Sequence, residues 1–216
     1  MKLLWLIILL FVIVGGGFYL TRNLPKMNLT NLMPFPKASI IPKINNTDKN
    51  SNLSSPVKCS GTQLPASTEG PYYKPGSPNK YKIDDGVSGT KLKLEGFVLD
   101  TTCKPIANAW IDFWQADSGG KYDNDGFKLR GHQFTDANGR YTLETIIPGE
   151  YTGRAPHIHA KVKARENSPI LTVQLFIPGV EKNLNDAIYN KDLLMDIKDS
   201  ASGKEATFNF VINTSL

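Results

Sequence analysis

The chain opens on MKLLWLIILLFVIVGGGFYL, and no charged residue falls between Leu3 and Leu20. An apolar run of that length reaches across a bilayer. It shares features with a secretory signal, although the apolar stretch is long for one and no Ala-x-Ala pattern marks a cleavage point. Residues 1–20 are therefore read as a hydrophobic helix, a transmembrane anchor or signal segment. In residues 21–58, Asn, Ser, Pro and Lys dominate and prolines break any apolar period, which predicts a flexible, disordered linker. A folded domain is predicted over 59–216.

Within that domain the pattern changes to short alternating segments. LKLEGFVLD (92–100) alternates apolar and polar positions, and NAWIDFWQAD (108–117) alternates again with Ala109, Ile111 and Phe113 on one face. GRYTLETI (139–146), HIHAKVKA (157–164), ILTVQLFI (170–177) and EATFNFVI (205–212) read as further strands. Turn chemistry separates them at SGG (118–120), DNDG (123–126) and DANG (136–139). Strands at this spacing predict an all-β, antiparallel sandwich or barrel. The one helical candidate is a weak one around 183–197.

Charge refines the picture. The formal net charge is +5, but residues 1–58 hold seven Lys/Arg and one acid, Asp48, whereas residues 59–216 hold eighteen Lys/Arg against nineteen acids. The domain is close to neutral, so no basic face for nucleic acid is implied. The positive charge sits beside the hydrophobic segment, where Arg22 and Lys26 can meet anionic headgroups. Two cysteines, Cys59 and Cys103, either pair in an oxidising compartment or stand as unrelated thiols. They are too few and too far apart to form a zinc site alone.

Candidate chemistry concentrates in PGEYTGRAPHIHAKV (148–162). His157 and His159 are two apart, so on a strand both imidazoles face one side. Such a pair is either a metal seat or two histidines on a polar face. A cupin would add a Glu shortly after the pair and a later His. Here Glu166 is seven residues on, and the remaining histidine, His132, lies upstream. DNDG lacks the ligand spacing of a calcium loop and reads as a turn.

The combined run WQADSGGKY (114–122), FKLRGHQFTDANGRYTLETIIPGEY (127–151) and GRAPHIH (153–159) resembles the intradiol ring-cleavage dioxygenases, the family of protocatechuate 3,4-dioxygenase and catechol 1,2-dioxygenase. The resemblance extends from about Thr68, with TEGPYY (68–73), to the C-terminus. It implies an antiparallel β-sandwich holding Fe(3+) through Tyr122, Tyr151, His157 and His159, with Tyr122 and His159 equatorial and Tyr151 and His157 axial. Arg154 matches an arginine that stabilises charge on the bound substrate, Gln174 a glutamine beside it, and Tyr72 a tyrosine on the pocket wall. His132 and Tyr141 match no ligand and are read as structural.

The implied activity is cleavage of a catecholic ring between its hydroxyl-bearing carbons by O2, giving a muconate-type diacid. Tyrosinate is a hard anionic donor suited to Fe(3+), and Tyr151 can take a proton from the incoming catechol. The segment between Tyr151 and His157 is short for the family, and no dimer-forming helical region precedes the domain. The substrate and oligomeric state stay open. Export is expected, although most members of that family are cytoplasmic. Two other readings stand beside this one. One is a non-catalytic transthyretin-like or carboxypeptidase-regulatory-like sandwich. The other is a zinc or copper hydrolase or oxidase using the same histidines.

Overall fold

A computed structural model describes residues 58–214. The segment 1–20 and the linker, except its last residue, lie outside the described residues. Among the described residues no helix is long and apolar enough to cross a membrane.

Two sheets face one another. The first holds β1 (Lys91–Asp100), β4 (Arg140–Ile146), β7 (Asp196–Ser200), β8 (Gly203–Thr207) and β9 (Phe210–Ile212). The second runs in the order β3 (Arg130–Phe134), β2 (Trp110–Gln115), β5 (His157–Lys163), β6 (Leu171–Phe176). Alternation along β1, β2, β4 and β5 puts one apolar row of each strand between the sheets. Leu94, Phe113, Tyr141, Ile158, Val173, Leu175 and Phe210 belong to a single buried core. The Phe113 ring of the second sheet reaches Tyr141 at 5.7 Å and Phe210 at 6.3 Å in the first. Each aliphatic side chain buried this way contributes about 1.5–3 kcal/mol.

The architecture departs from the expected pattern in four places, the first being β3 and β7, which no predicted strand covers. The second sheet is antiparallel throughout, but the first is mixed, because β8 and β9 both run parallel to β1. Alternation reports which face of a strand is buried and is silent on the direction of its neighbour. The predicted strand 205–212 is broken at Phe208 and Asn209, where the Asn209 side chain takes the Phe97 N–H at 3.0 Å in place of a ladder bond. The helical candidate at 183–197 is instead two short 3-10 turns, Glu181–Asn185 and Lys191–Leu193, running into β7. Tertiary polar contacts override helix there: Asn183 donates to Ile177 O at 2.8 Å, and the Asn190 side chain accepts from Asp192 N.

Cys59 and Cys103 form a disulfide that ties the start of the domain to the turn after β1. From there the chain crosses the outer face of the second sheet as a strap. Ser67 N donates to Thr172 O of β6, the Tyr73 hydroxyl donates to Asp112 of β2, and Lys80 N donates to His132 O of β3. The strap closes over the end of the sheet that carries the two histidines.

Tyr141, read as structural, is fully inside the sandwich and its hydroxyl donates to Phe208 O at 2.9 Å, at the break between β8 and β9. Replacing Tyr141 by Phe leaves that buried carbonyl short of a partner. The expected cost is about 1–3 kcal/mol, read as a lower urea midpoint with the β-sheet circular dichroism retained. An unchanged midpoint would remove this hydrogen bond from the fold's support.

Candidate functional site

Antiparallel register lays four side chains in one row across the outer face of the second sheet. Arg130 pairs with Trp114, Trp114 with His159, and His159 with Gln174. All four are buried to within about 1% of full burial. His157 stands on the same face, two residues along β5 from His159. The Trp114 indole stacks on the His159 ring at 4.6 Å and holds it upright.

The tyrosines arrive from turns. Asp117 accepts Gly119 N and Lys121 N, both at 2.9 Å, and so folds the turn that presents Tyr122. Gly149 N donates to Asp117 O at 2.8 Å, so the turn before Tyr151 lies backbone to backbone against it. A side chain at Gly149 would strike Ser118 O and Gly120 N, and one at Gly120 would strike Glu150 O. Glycine is what lets these two turns touch. Next comes a two-residue turn with Thr152 at φ +40° and Gly153 at φ +78°, closed by Arg154 N donating to Tyr151 O. Such a reversal sets Tyr151 and Arg154 side by side.

Four donor atoms converge as a result. His157 Nε2 lies 3.0 Å from His159 Nε2, His159 Nε2 lies 3.1 Å from the Tyr122 hydroxyl, and the Tyr151 hydroxyl lies 3.4 Å from His157 Nε2. His157 Nδ1 is 2.6 Å from Ala155 O, which only accepts, so Nδ1 carries the hydrogen and Nε2 presents its lone pair. Burial, aided by the Arg154 charge, pushes His157 down to about 4. Burial and then the neighbouring His157 hold His159 well below the ordinary histidine range. Both rings are neutral at physiological pH. Burial, with Tyr151 alongside, raises Tyr122 above the usual phenol range, while Arg154 and Arg130 oppose the shift.

The rim is built from the remaining candidates. Tyr72, on the strap, stacks on Tyr122 with ring centroids 4.4 Å apart and meets Tyr151 edge-on at 5.8 Å. Arg154 donates to Gln174 Oε1 at 2.5 Å. The structure thus brings together Tyr72, Tyr122, Tyr151, Arg154, His157, His159 and Gln174. His132 lies apart, held by Ser77, with Nδ1 2.6 Å from Ser77 O.

A family model described as dioxygenase matches residues 68–214. The chain belongs to the intradiol dioxygenase family. It is 30% identical over 155 residues to the catechol 1,2-dioxygenase of Acinetobacter baylyi, a match covering 58% of this chain and 50% of that protein. It is 29% identical over 165 residues to the hydroxyquinol 1,2-dioxygenase of Nocardioides simplex, covering 65% and 54%. The chain spans about half the length of the curated relatives it matches. Among solved structures, it is similar to the dioxygenase domain of a dioxygenase carbohydrate-binding protein fusion from Streptomyces sp. SirexAA-E. That match has a TM-score of 0.69 and 44% identity, covering 71% of this chain and 100% of the other. An intradiol ring-cleavage dioxygenase from Tetranychus urticae matches with a TM-score of 0.65 and 28% identity, over 70% and 94%.

Two residues beside this cluster escaped the sequence reading. Arg130 is buried beside Tyr122, with its guanidinium carbon 5.9 Å from the ring centre and its Nη1 donating to Tyr72 O at 2.7 Å. The run LRGHQF shows the arginine but not its direction. Asp186 grips Arg154 from the stretch read as a weak helix. Burial would raise its carboxyl, but the N–H groups of Ile188 and Ala155 and the Arg154 charge outweigh that and hold it below the usual carboxylate range.

Neutral burial of His157 has a consequence for the metal-free domain. An unfolded histidine titrates near 6.5, so between about pH 6.5 and 4 the unfolded chain binds the proton that the folded one refuses. Stability from this group is present above pH 6.5 and is lost progressively as pH falls toward 4, by a total on the order of 3 kcal/mol. Urea denaturation at several pH values, compared with the His157→Gln variant, checks this. Equal slopes in the two proteins would contradict it.

Proposed function

We propose that this chain is an exported Fe(3+)-dependent dioxygenase that opens catechol-type rings between the two hydroxyl-bearing carbons. The observation that carries the reading is the convergence of two imidazole nitrogens and two phenol oxygens. Adjacent donors bound at about 2.1 Å to one transition-metal ion lie about 3 Å apart. The spacings here are 3.0, 3.1 and 3.4 Å. Neutral imidazoles and ionisable phenols form a mixed, partly hard donor set that suits ferric iron. Among the described residues there is no group of three or more His, Cys, Asp or Glu able to hold a metal, which weighs against a zinc-type site.

Tyr122, Tyr151, His157 and His159 would hold the ion. When bound, ferric iron supplies Lewis acidity that favours loss of the catechol protons and templates the meeting of the diol with O2. The protein's own side chains do the rest. Tyr151, half-buried at the rim and a phenolate once it held the ion, would take on its hydroxyl oxygen the proton of an arriving catechol hydroxyl. Arg154 and Gln174 set a positive edge and an amide against the electron-rich ring. The Tyr72 ring, already stacked on Tyr122, supplies a wall for an aromatic substrate. The strap and the Trp114 indole keep water from the histidines. One carbon–carbon bond breaks and both atoms of O2 enter the diacid, so no external reductant is needed.

Family membership and this donor cluster favour the enzyme over a scaffold module, which has no use for two buried imidazoles and two phenols converging on one point. The Cys59–Cys103 disulfide supports export, because such bonds persist in oxidising compartments. The hydrophobic N-terminal segment is consistent with membrane attachment on the far side.

Purified protein loaded with iron in air is expected to be red-brown from phenolate-to-iron charge transfer, and to consume O2 with a panel of catechols. A colourless, inactive protein would overturn the proposal. Tyr151→Phe and His157→Ala are each expected to lose iron or ring cleavage sharply. Arg154→Ala is expected to keep its iron and slow turnover by about 100-fold. Metal analysis alongside oxygen uptake separates these outcomes, and a wild-type rate in any variant removes that residue from its assigned role.

A further inference from the structure

Arg154 carries five N–H groups, and the protein directs some of them inward. Its Nε donates to both oxygens of Asp186, at 3.0 and 2.9 Å, and its Nη2 donates to Gln174 Oε1. Gln174 is itself fixed, because its Nε2 donates to Thr68 O at 2.9 Å. Reversing that amide would set an NH2 against a guanidinium and oxygen against oxygen, so its orientation is determined. Nη1 has no hydrogen-bonded protein partner among the described residues.

Asp186 is the anchor of this chain of contacts. Its side chain is 0% exposed, whereas that of Arg154 is 20% exposed. It also accepts Ala155 N at 2.9 Å and Ile188 N at 3.0 Å. The carboxylate is therefore held by backbone on two sides before it meets the arginine. A long arginine side chain free at a pocket rim samples many rotamers. Side-on pairing through Nε leaves it one, with the outer edge of the guanidinium presented to the site.

We propose that Asp186 is a positioning residue for ring opening: it fixes the plane and direction of the Arg154 guanidinium that meets the catechol. This rests on the function proposed above. Arg154 is the only side chain that Asp186 bonds among the described residues; its other partners are the N–H groups of Ala155 and Ile188, and none of the four metal donors is among them.

The test is a double-mutant cycle on the iron-loaded full chain. Asp186→Asn is expected to lower kcat/KM by about 10- to 100-fold with iron content unchanged. In an Arg154→Ala background the same substitution is expected to cost less than about twofold, because the group it orients is gone. The dissociation constant of 4-nitrocatechol, read from its absorbance, is expected to show the same non-additivity without any turnover. A purely structural carboxylate would cost as much in both backgrounds, and that result overturns the role. Arg154→Lys provides a second arm that leaves Asp186 in place. Lysine keeps the charge but cannot bridge Asp186 and Gln174, so this variant is expected to be as slow as Arg154→Ala. A lysine variant at the wild-type rate would also overturn the proposal. A wild-type chain that opens no catechol sinks the reading of the site. Wild-type turnover with an undiminished Asp186→Asn loss in the Arg154→Ala background overturns the positioning role alone.

Discussion

Two imidazole nitrogens held 3.0 Å apart in a water-poor recess set the terms for everything around them. If both rings were charged, two N–H groups would point at each other with no solvent to separate them. The protein prevents this by burial and by committing His157 Nδ1 to Ala155 O, which leaves Nε2 as an acceptor. His159 is pressed under Trp114 and cannot turn away. The arrangement is poor at holding protons and well suited to holding a cation. The surrounding elements either bring further donors to that point or keep water from it.

The division of labour follows from what each kind of backbone does well. The second sheet acts as a ruler: its register fixes Arg130, Trp114, His159 and Gln174 in one row, and a slip of a single residue would send all of them to the other face. Turns supply the donors whose approach must be adjustable, Tyr122 and Tyr151, and two glycines let those turns lie against each other. The strap then crosses from β6 to β3 and adds Tyr72 from above. No element supplies more than two of the four donors, so they meet only when the second sheet and both turns are assembled, and the strap closes over them.

Much of this was legible because it depends on local periods. The two-residue spacing of His157 and His159 gives their shared face directly, and the turn residues at 118–120 and 136–139 place strand ends within a residue or two. What lay hidden depends on contacts distant in sequence. The parallel pairing of β8 and β9 with β1 leaves no mark in an alternating pattern. β7, with the sequence DIKDS, is too polar and exposed to announce itself. Asp186 is one acid in a stretch rich in Asn and Asp, and it acquires meaning only when Arg154, 32 residues earlier, arrives to meet it. The pairing of Cys59 with Cys103 stayed open for the same reason, since separation along the chain says nothing of proximity.

Charge explains why such a site is worth assembling around arginines. Arg130 is 1% exposed, yet its Nε and Nη1 donate to the carbonyls of Asp123 and Tyr72, which satisfy hydrogen bonds without cancelling charge. Among the described residues no carboxylate forms a salt bridge with it, and burial depresses its basicity although the Asp123 and Asp112 charges oppose this. Arg154 is matched directly by Asp186, whereas Arg130 meets carboxylates only without a salt bridge. A buried unpaired cation is costly unless an anion comes close. Besides the Asp123 and Asp112 charges, the Tyr122 phenol is a group able to become one, and its ring lies 5.9 Å from the guanidinium. Burial disfavours the phenolate while Arg154 and Arg130 favour it, and further positive charge between the imidazoles, as proposed above, would tip the balance toward it. On the proposed function, a ferric ion held there would favour the phenolates, and those phenolates would in turn offset the Arg130 charge.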